Sequence, residues 1–195
     1  MTRTKLIVFI VALITIFYVP LTFRFTYSQV NGKFDNLYQA IKKPETREAG
    51  FFEFFKYGKR AGDYLISKLP IETDNMLKGD IINVIGHLGC TDCEGKLVPF
   101  LSDPDGRVRV MTIDTLDELK YKNISMLLPE IIINDRSKNV KIRAIMALGK
   151  YGGAKDIDFL ENLVKQEEYK EKYLSRAINN ALITLRSKRA TQKGE

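Results

Sequence analysis

The 195-residue sequence contains no tryptophan, one histidine and two cysteines. Two cysteines are too few for a disulfide-stapled fold, so a hydrophobic core must hold the chain together. The single histidine, His87, gives no basis for a Ser-His-Asp grouping, and no glycine-rich phosphate loop is present. Carboxylates are scattered rather than paired. We therefore predict a non-enzyme, with no catalytic residue, no metal site and no cofactor.

Acidic residues are missing from the first 34 positions, because the first one is Asp35. Arg3 and Lys5 lie in a short basic tail over residues 1–5 and precede an uncharged run over residues 6–23. As a helix, this run covers about 27 Å, which is enough to cross a thin bilayer core. The pattern predicts an uncleaved transmembrane helix. A signal peptide cleaved after Ser28 and a buried soluble helix are the alternatives.

The orientation of this segment follows from its basic tail, although Arg24 and later lysines give the positive-inside rule mixed evidence. A tail of this length ahead of an export-like segment is expected to stay in the cytoplasm. The rest of the chain is then expected on the extracytoplasmic side, either periplasmic or extracellular.

The net charge of +7 raises the question of nucleic-acid binding. Most of the excess of basic residues lies at the two ends of the chain, in residues 1–5 and in residues 186–195, of which we expect the basic tail over 188–195 to be disordered. Between them, over 24–185, charges of both signs are interspersed, as on a solvated surface. We therefore predict no nucleic-acid partner.

An apolar stripe of helical spacing recurs along the second half of the chain. Its members fall at i, i+4, i+7, i+8 and i+11, and the stripes begin at residues 77, 108, 140 and 174. A shorter apolar helical stretch precedes each stripe, and no run alternates with period two. The sequence therefore predicts an all-α chain of repeated helical hairpins that must stack to bury their apolar faces. The stripes contain Leu77, Ile81, Val84, Ile85, Leu88, Val108, Thr112, Thr115, Leu116, Leu119, Val140, Ala144, Ala147, Leu148, Tyr151, Leu174, Ile178, Ala181, Leu182 and Leu185.

Two segments resemble the short HEAT-like repeat of phycobilisome lyases and many bacterial adaptors. They are "DPDGRVRVMTIDTL" (103–116) and "DRSKNVKIRAIMALGKYG" (135–152), with the Asp-Pro-Asp, Val-Arg and Ala-Leu-Gly elements of that signature. Three positions depart from it: Lys141 replaces arginine, Thr112 replaces alanine and Asp117 replaces glycine. The resemblance implies an armadillo-type α-solenoid of about four hairpins over 51–187, preceded by a juxtamembrane helical linker over 24–50. In the first segment, Asp103 is expected to cap the helix that follows.

The resemblance also implies a function. Stacked hairpins offer an extended surface for a protein partner, so we expect a non-catalytic scaffold, anchored to the membrane by residues 6–23. Asp114, Arg143 and Lys150 are candidate partner-binding residues on the second helices of the hairpins. No small-molecule substrate is expected. The alternatives are a bilin-lyase-like enzyme and an exported, signal-cleaved soluble repeat protein.

The segment "LGCTDCEG" (88–95) contains both cysteines, Cys90 and Cys93. Cys90, Cys93, His87 and Asp92 could in principle bind zinc. Zinc sites usually take their ligands from two separated pairs, however, and the sequence contains no second pair. A thioredoxin-type site needs a preceding strand, and haem attachment needs histidine where Glu94 stands. The position between two hairpins indicates an inter-helix turn. The spacing leaves a local disulfide and two free thiols both open.

Overall fold

The computed structural model describes residues 32–193. Within this range the regular elements are all helical, and no strand is present. No helix there is long and apolar enough to span a bilayer. The predicted transmembrane helix over 6–23 and the basic tail over 1–5 lie outside the described residues. The chain divides into two compact units, the first ending at Tyr57 and the second beginning at Gly58.

The described α-helices in chain order are α1 over 32–41, α2 Pro44–Phe55, α3 Lys59–Lys68, α4 Asn75–His87, α5 Glu94–Leu97, α6 Gly106–Glu118, α7 Leu128–Asn134, α8 Lys138–Tyr151, α9 Ala154–Leu163 and α10 Lys172–Lys193. Short 3-10 turns join several of them, at Leu69–Ile71, Thr91–Cys93, Val98–Ser102, Lys122–Met126 and Glu167–Lys170.

The first unit contains a hairpin of α1 and α2 with an aromatic core. The ring of Phe34 lies 5.8 Å from Phe54 and meets Tyr57 edge-on at 5.1 Å. A Cβ at Gly50 would lie 2.6 Å from the side chain of Ile41, so only glycine allows this approach of α2 to α1. Phe54 thus packs on α1 within the first unit, and the second compact unit begins at Gly58.

The second unit consists of four helical hairpins in two layers. The second helices of the hairpins, α4, α6, α8 and α10, pack side by side in chain order. Helices α4 and α6 run parallel. Gly79 of α4 lies against Met111 of α6, and Gly86, two turns later on α4, lies against Thr115, one turn later on α6. The first layer is formed by α3, by α5 with its 3-10 turn, by α7 and by α9, each against its own second helix. The predicted all-α class is confirmed for the described residues, and their arrangement is consistent with an α-solenoid.

The predicted apolar stripes form the interface between the two layers. Every stripe position is buried except Leu88 and Tyr151, which are half-buried. A second apolar column lies on the side that faces the following second helix: Ile82, Ile113 and Ile145 are almost fully buried there. The equivalent position of α10 is Asn179, which is exposed. Such a polar outer side is typical of a capping repeat.

The tail predicted to be disordered over 188–195 is helical as far as Lys193. No proline or glycine interrupts α10, and Leu185, about two-thirds of the way along it, is buried. The ammonium group of Lys188 donates to the carbonyl oxygens of Gly149, at 3.2 Å, and Lys150. These carbonyl groups belong to the last turn of α8 and lack partners within that helix. The bond therefore holds the end of α10 against α8, and burial lowers the pKa of Lys188.

Candidate protein-interaction surface

The second helices leave one side uncovered, which we call the outer face. On α4, α6 and α8 its positions follow the spacing i, i+4, i+7 and i+11, which places them on one side of the helix. On α10 the i+4 position is Ala177, which is buried, so only the other three positions belong to the face. Because the helices are parallel and adjacent, the four sets form one continuous surface. The outer face comprises Met76, Asp80, Asn83 and His87 of α4, Arg107, Met111, Asp114 and Glu118 of α6, Asn139, Arg143, Met146 and Lys150 of α8, and Tyr173, Asn180 and Thr184 of α10.

The three predicted partner-binding residues lie together on this outer face, but each has a partner within the chain. Arg143 Nη2 donates to Asp114 Oδ2 at 2.9 Å, and Lys150 Nζ donates to Asp117 Oδ1. Both ion pairs join α6 to α8. They are partly exposed, so each contributes little to stability. The three residues thus form ion pairs between α6 and α8 and also present charge to solvent.

The electrostatics of these pairs differ between the two sites. Burial raises the pKa of Asp114 above its ordinary value, although the nearby Arg143 opposes the change. The hydrogen bond to Asp117 is the main reason that the pKa of Lys150 is raised. The hydroxyl of Tyr151 also lies 2.6 Å from Asp117 Oδ1. Lys150 is therefore bound within a local cluster, whereas the Arg143–Asp114 pair lies across the middle of the outer face.

The methionines of the outer face were not predicted from the sequence as candidate binding residues. Met76 is 51% exposed, Met146 is 50% exposed and Met111 is half-buried, one on each of three consecutive second helices. We call these three side chains the methionine row. Tyr173, 60% exposed, is the aromatic residue of the same face on α10. The row had a sequence signal, because its members are separated by 35 residues, but that spacing differs from the 31- and 32-residue separations of the apolar stripes.

A groove of about 510 Å³ opens between α6 and α8 on this face. Val110, Ile142 and Met146 supply its apolar side chains, and Arg107 and Arg143 are its charged residues. Apolar surface next to a few directional polar groups is the usual composition of a recognition site. The groove makes the outer face suitable for an apolar side chain of a partner.

A larger cleft of about 590 Å³ lies between the 3-10 turn Val98–Ser102 and α7. Its principal charged groups are engaged in structural bonds. The guanidinium of Arg109 donates to both carboxylate oxygens of Asp135, at 2.7 and 2.8 Å, and to the carbonyl oxygen of Asp103 at 2.8 Å. Because these donors are committed, Arg109 and Asp135 are not available as an acid/base pair for catalysis.

The Arg109–Asp135 pair is one of three links in the described part of the chain that we call the inter-repeat ladder. The cation is largely buried in each link, whereas the side chain of Glu168 is 59% exposed. In each link a cation of one second helix reaches the acid just before the next second helix. Lys78 Nζ lies 3.1 Å from Asp103 Oδ2. Lys141 Nζ lies 2.6 Å from a carboxylate oxygen of Glu168 and 3.2 Å from the hydroxyl of Tyr169. The ladder joins successive hairpins, and α10 has Ser175 at the equivalent position, in agreement with its capping role.

The cap of α6 differs from the prediction. Asp105, not Asp103, is the N-cap, and its side chain accepts from the amides of Arg107 and Val108. Asp103 is buried and accepts from the amide of Asp105 at 2.9 Å with one oxygen, while the other meets Lys78. The signature aspartate therefore stabilises the turn and the ladder rather than the helix end.

Cys90 and Cys93 are joined by a disulfide in the structure, with their Cα atoms 5.3 Å apart. Both side chains are fully buried. A Cβ at Gly62 would lie 2.9 Å from the Cβ of Cys90, so α3 packs directly on this turn. The Asp63 carboxylate lies within 4.8 Å of the two sulfur atoms but is also close to Lys59 and Lys96. Zinc binds thiolates, which sulfurs bonded to each other do not provide.

Reduction of this disulfide is expected to lower the free energy of unfolding by about 2 kcal/mol, because the closed loop contains only four residues. The measurement is thermal or urea unfolding of the full chain with and without dithiothreitol. A Cys90→Ala/Cys93→Ala variant is the control and should not respond to the reductant. An equal response in both proteins would show that the disulfide is not the cause.

Residues 94–183 match the family model for HEAT repeats. The match covers the last three hairpins, from α5 into α10. No curated protein matches the sequence significantly. Together with the all-helical hairpin architecture, the match supports a HEAT-like repeat protein, and HEAT repeats in turn suggest a scaffold for protein interactions.

Proposed function

We propose that this protein is a non-catalytic, membrane-anchored scaffold that binds a protein partner on the outer face. The observation that carries the proposal is the methionine row beside the groove between α6 and α8. In this surface, flexible apolar side chains stay exposed on a scaffold whose neighbouring helices are firmly joined. Exposed apolar surface of this kind marks interaction sites, and methionine suits partners of irregular shape.

The membrane part of the proposal rests on the sequence. An uncharged run of 18 residues follows two basic residues, and no acidic residue precedes Asp35. The repeat domain is proposed to lie on the extracytoplasmic side, where a disulfide between Cys90 and Cys93 would persist. A scaffold held in this way would present the outer face to partners near the membrane surface.

The binding surface is tested by photo-crosslinking in cells. A photoreactive phenylalanine is introduced separately at Tyr173 and Asn83 on the outer face, and at Asp158 as an exposed control on α9 in the first layer. We expect a discrete protein adduct from the two outer-face positions and none from the control position. Adducts of equal yield from all three positions, or from none of them, would contradict the proposal.

The topology is tested with an engineered thiol, because both native cysteines are fully buried. In a Cys90→Ala/Cys93→Ala background, Met126→Cys places an exposed thiol on the repeat domain and Thr4→Cys places one in the basic tail. A membrane-impermeant maleimide added to intact cells is expected to label the first and not the second. Labelling of the Met126→Cys protein only after lysis would place the repeat domain in the cytoplasm.

A further inference from the structure

The methionine row crosses the outer face diagonally. Its members are 35 residues apart, whereas the helices that carry them repeat after 31 and 32 residues. The row therefore advances by about one helical turn from each helix to the next. Three of the four methionines in the described range belong to it. The fourth, Met126, is 67% exposed in a 3-10 turn of the first layer.

Charged residues accompany the row on both flanks. On α6, Arg107 comes one turn before the methionine and Asp114 comes one turn after it. On α8, Arg143 likewise precedes the methionine, and on α4, Asp80 follows it. On α8, the residue one turn after the methionine is basic, Lys150. The row thus has a basic flank on the α10 side and a mainly acidic flank on the α4 side.

The flanking charges meet in two partly exposed ion pairs that cross the row. Arg107 Nη2 lies 4.0 Å from Asp80 Oδ1, and Arg143 Nη2 lies 2.9 Å from Asp114 Oδ2. Each pair uses only part of the donor capacity of its guanidinium, which has five N–H groups. The basic flank can therefore donate to further acidic groups while the pairs are kept. A carboxylate offers about four lone-pair sites, so the aspartates of the acidic flank can likewise accept from more than one cation.

The spacing of the row fits one kind of ligand. Packed helices lie about 8–10 Å apart and one turn rises about 5.4 Å, so successive methionines are about 10–11 Å apart along the diagonal. Seven residues of an α-helix rise about 10.5 Å, which matches this distance. An extended strand covers about 10 Å in three residues, but residues i and i+3 of a strand point to opposite sides.

We propose that the partner contributes an amphipathic helix, which lies diagonally along the methionine row. Its apolar residues recur every seven positions and contact the three methionines. Acidic residues of this helix lie along the basic flank, and basic residues lie along the acidic flank. This assignment rests on the proposed function and adds the chemistry of the partner.

The test uses two synthetic 21-residue peptides of the same composition and the full chain in detergent micelles. The seam peptide has leucines at i, i+7 and i+14, flanked by glutamates on one side and lysines on the other. The scrambled peptide distributes the same leucines around the helix. By fluorescence anisotropy, the seam peptide is expected to bind at least tenfold more tightly. Equal affinity for the two peptides would overturn the proposal.

Two methionine variants test whether the seam peptide binds at the methionine row. Met111→Asp is expected to weaken seam-peptide binding at least tenfold, because it places a charge at the centre of the row. Met126→Asp is the matched control and should leave the affinity unchanged, since that side chain is exposed and outside the outer face. Equal loss in both variants, or no loss in either, would overturn the proposal.

Other occupants of the row give different results. Self-association that Met111→Asp abolishes, without seam-peptide binding, would assign the surface to a second copy of this chain. Anionic vesicles that bind the wild type but not Met111→Asp, again without peptide binding, would assign it to lipid. If photo-crosslinking at Tyr173 and Asn83 yields a partner while the seam peptide fails to bind, the scaffold function stands and the helix proposal is wrong.

Discussion

Asp135→Ala is expected to lower the free energy of unfolding by about 3–5 kcal/mol, as the removal of one partner from a buried ion pair does. The side chains of Arg109 and Asp135 are each only 7% exposed, and the substitution leaves the guanidinium without its carboxylate. The link between the second and third hairpins would then carry an unpaired buried charge. Urea unfolding of the full chain measures this loss.

Asp114→Ala is the matched control for this prediction. It removes the acid of another arginine pair that joins neighbouring repeats, but Arg143 remains 45% exposed and hydrated. The expected loss is at most about 1 kcal/mol. Similar losses in the two variants would contradict the assignment of the inter-repeat ladder as the main polar link between hairpins.

The Arg109–Asp135 pair also affects the stability of the protein in acid. Burial alone would raise the pKa of Asp135, but the hydrogen bonds from Arg109 and the Ser137 amide, with the charge of Arg109, lower it below the ordinary value of 3.8. A lowered folded-state pKa contributes stability that is fully present above the unfolded-state pKa and is lost as pH falls through the folded-state pKa. Between about pH 5 and pH 2, wild-type stability should therefore fall more steeply than that of Asp135→Asn. Parallel curves would exclude a contribution from this carboxylate.

Gly149→Val is expected to destabilise the chain by about 3 kcal/mol. A Cβ at Gly149 would lie 2.8 Å from the Cα and 2.9 Å from the Cβ of Ala181, so α8 and α10 would have to separate. Overpacking of a close helix contact costs about 1–3 kcal/mol, and here the obstructing atoms include backbone, which cannot move alone. Thermal or urea unfolding measures the effect.

Gly95→Val provides the comparison. Gly95 lies in α5 with no heavy atom within 4 Å of an added Cβ. A substitution at such an open position should change stability by no more than about 0.5 kcal/mol. If this variant is as unstable as Gly149→Val, the loss reflects the β-branched residue itself rather than the contact between α8 and α10.

The helices and their buried faces were predictable because apolar residues recur with the helical period. The stripe that begins at Val140 repeats at three other places, and such a pattern permits only stacked hairpins. The second apolar column of Ile82 and Ile113 was not recognised, since a single helix does not show which side meets the next repeat. Aligning the repeats at their own period would have shown that column.

The polar links were less predictable because a carboxylate in a turn has several partners within reach. Asp103 could cap its own helix or accept from a cation 25 residues earlier, and only packing decides that it meets Lys78. Arg143 and Asp114 lie together on the outer face, but their ion pair depends on the lateral distance between two helices and was not predicted. The transmembrane helix over 6–23 stays a prediction, because the described residues begin at position 32.

The most direct test of the outer face as the binding surface is a methionine-methyl NMR titration. The full chain, labelled with ¹³C-methyl methionine, is titrated with the seam peptide, and each signal is assigned by substitution. We expect the signals of Met76, Met111 and Met146 to shift together with one affinity while the signal of Met126 stays in place. A shift confined to Met126, or equal shifts of all the methyl groups, would contradict this expectation.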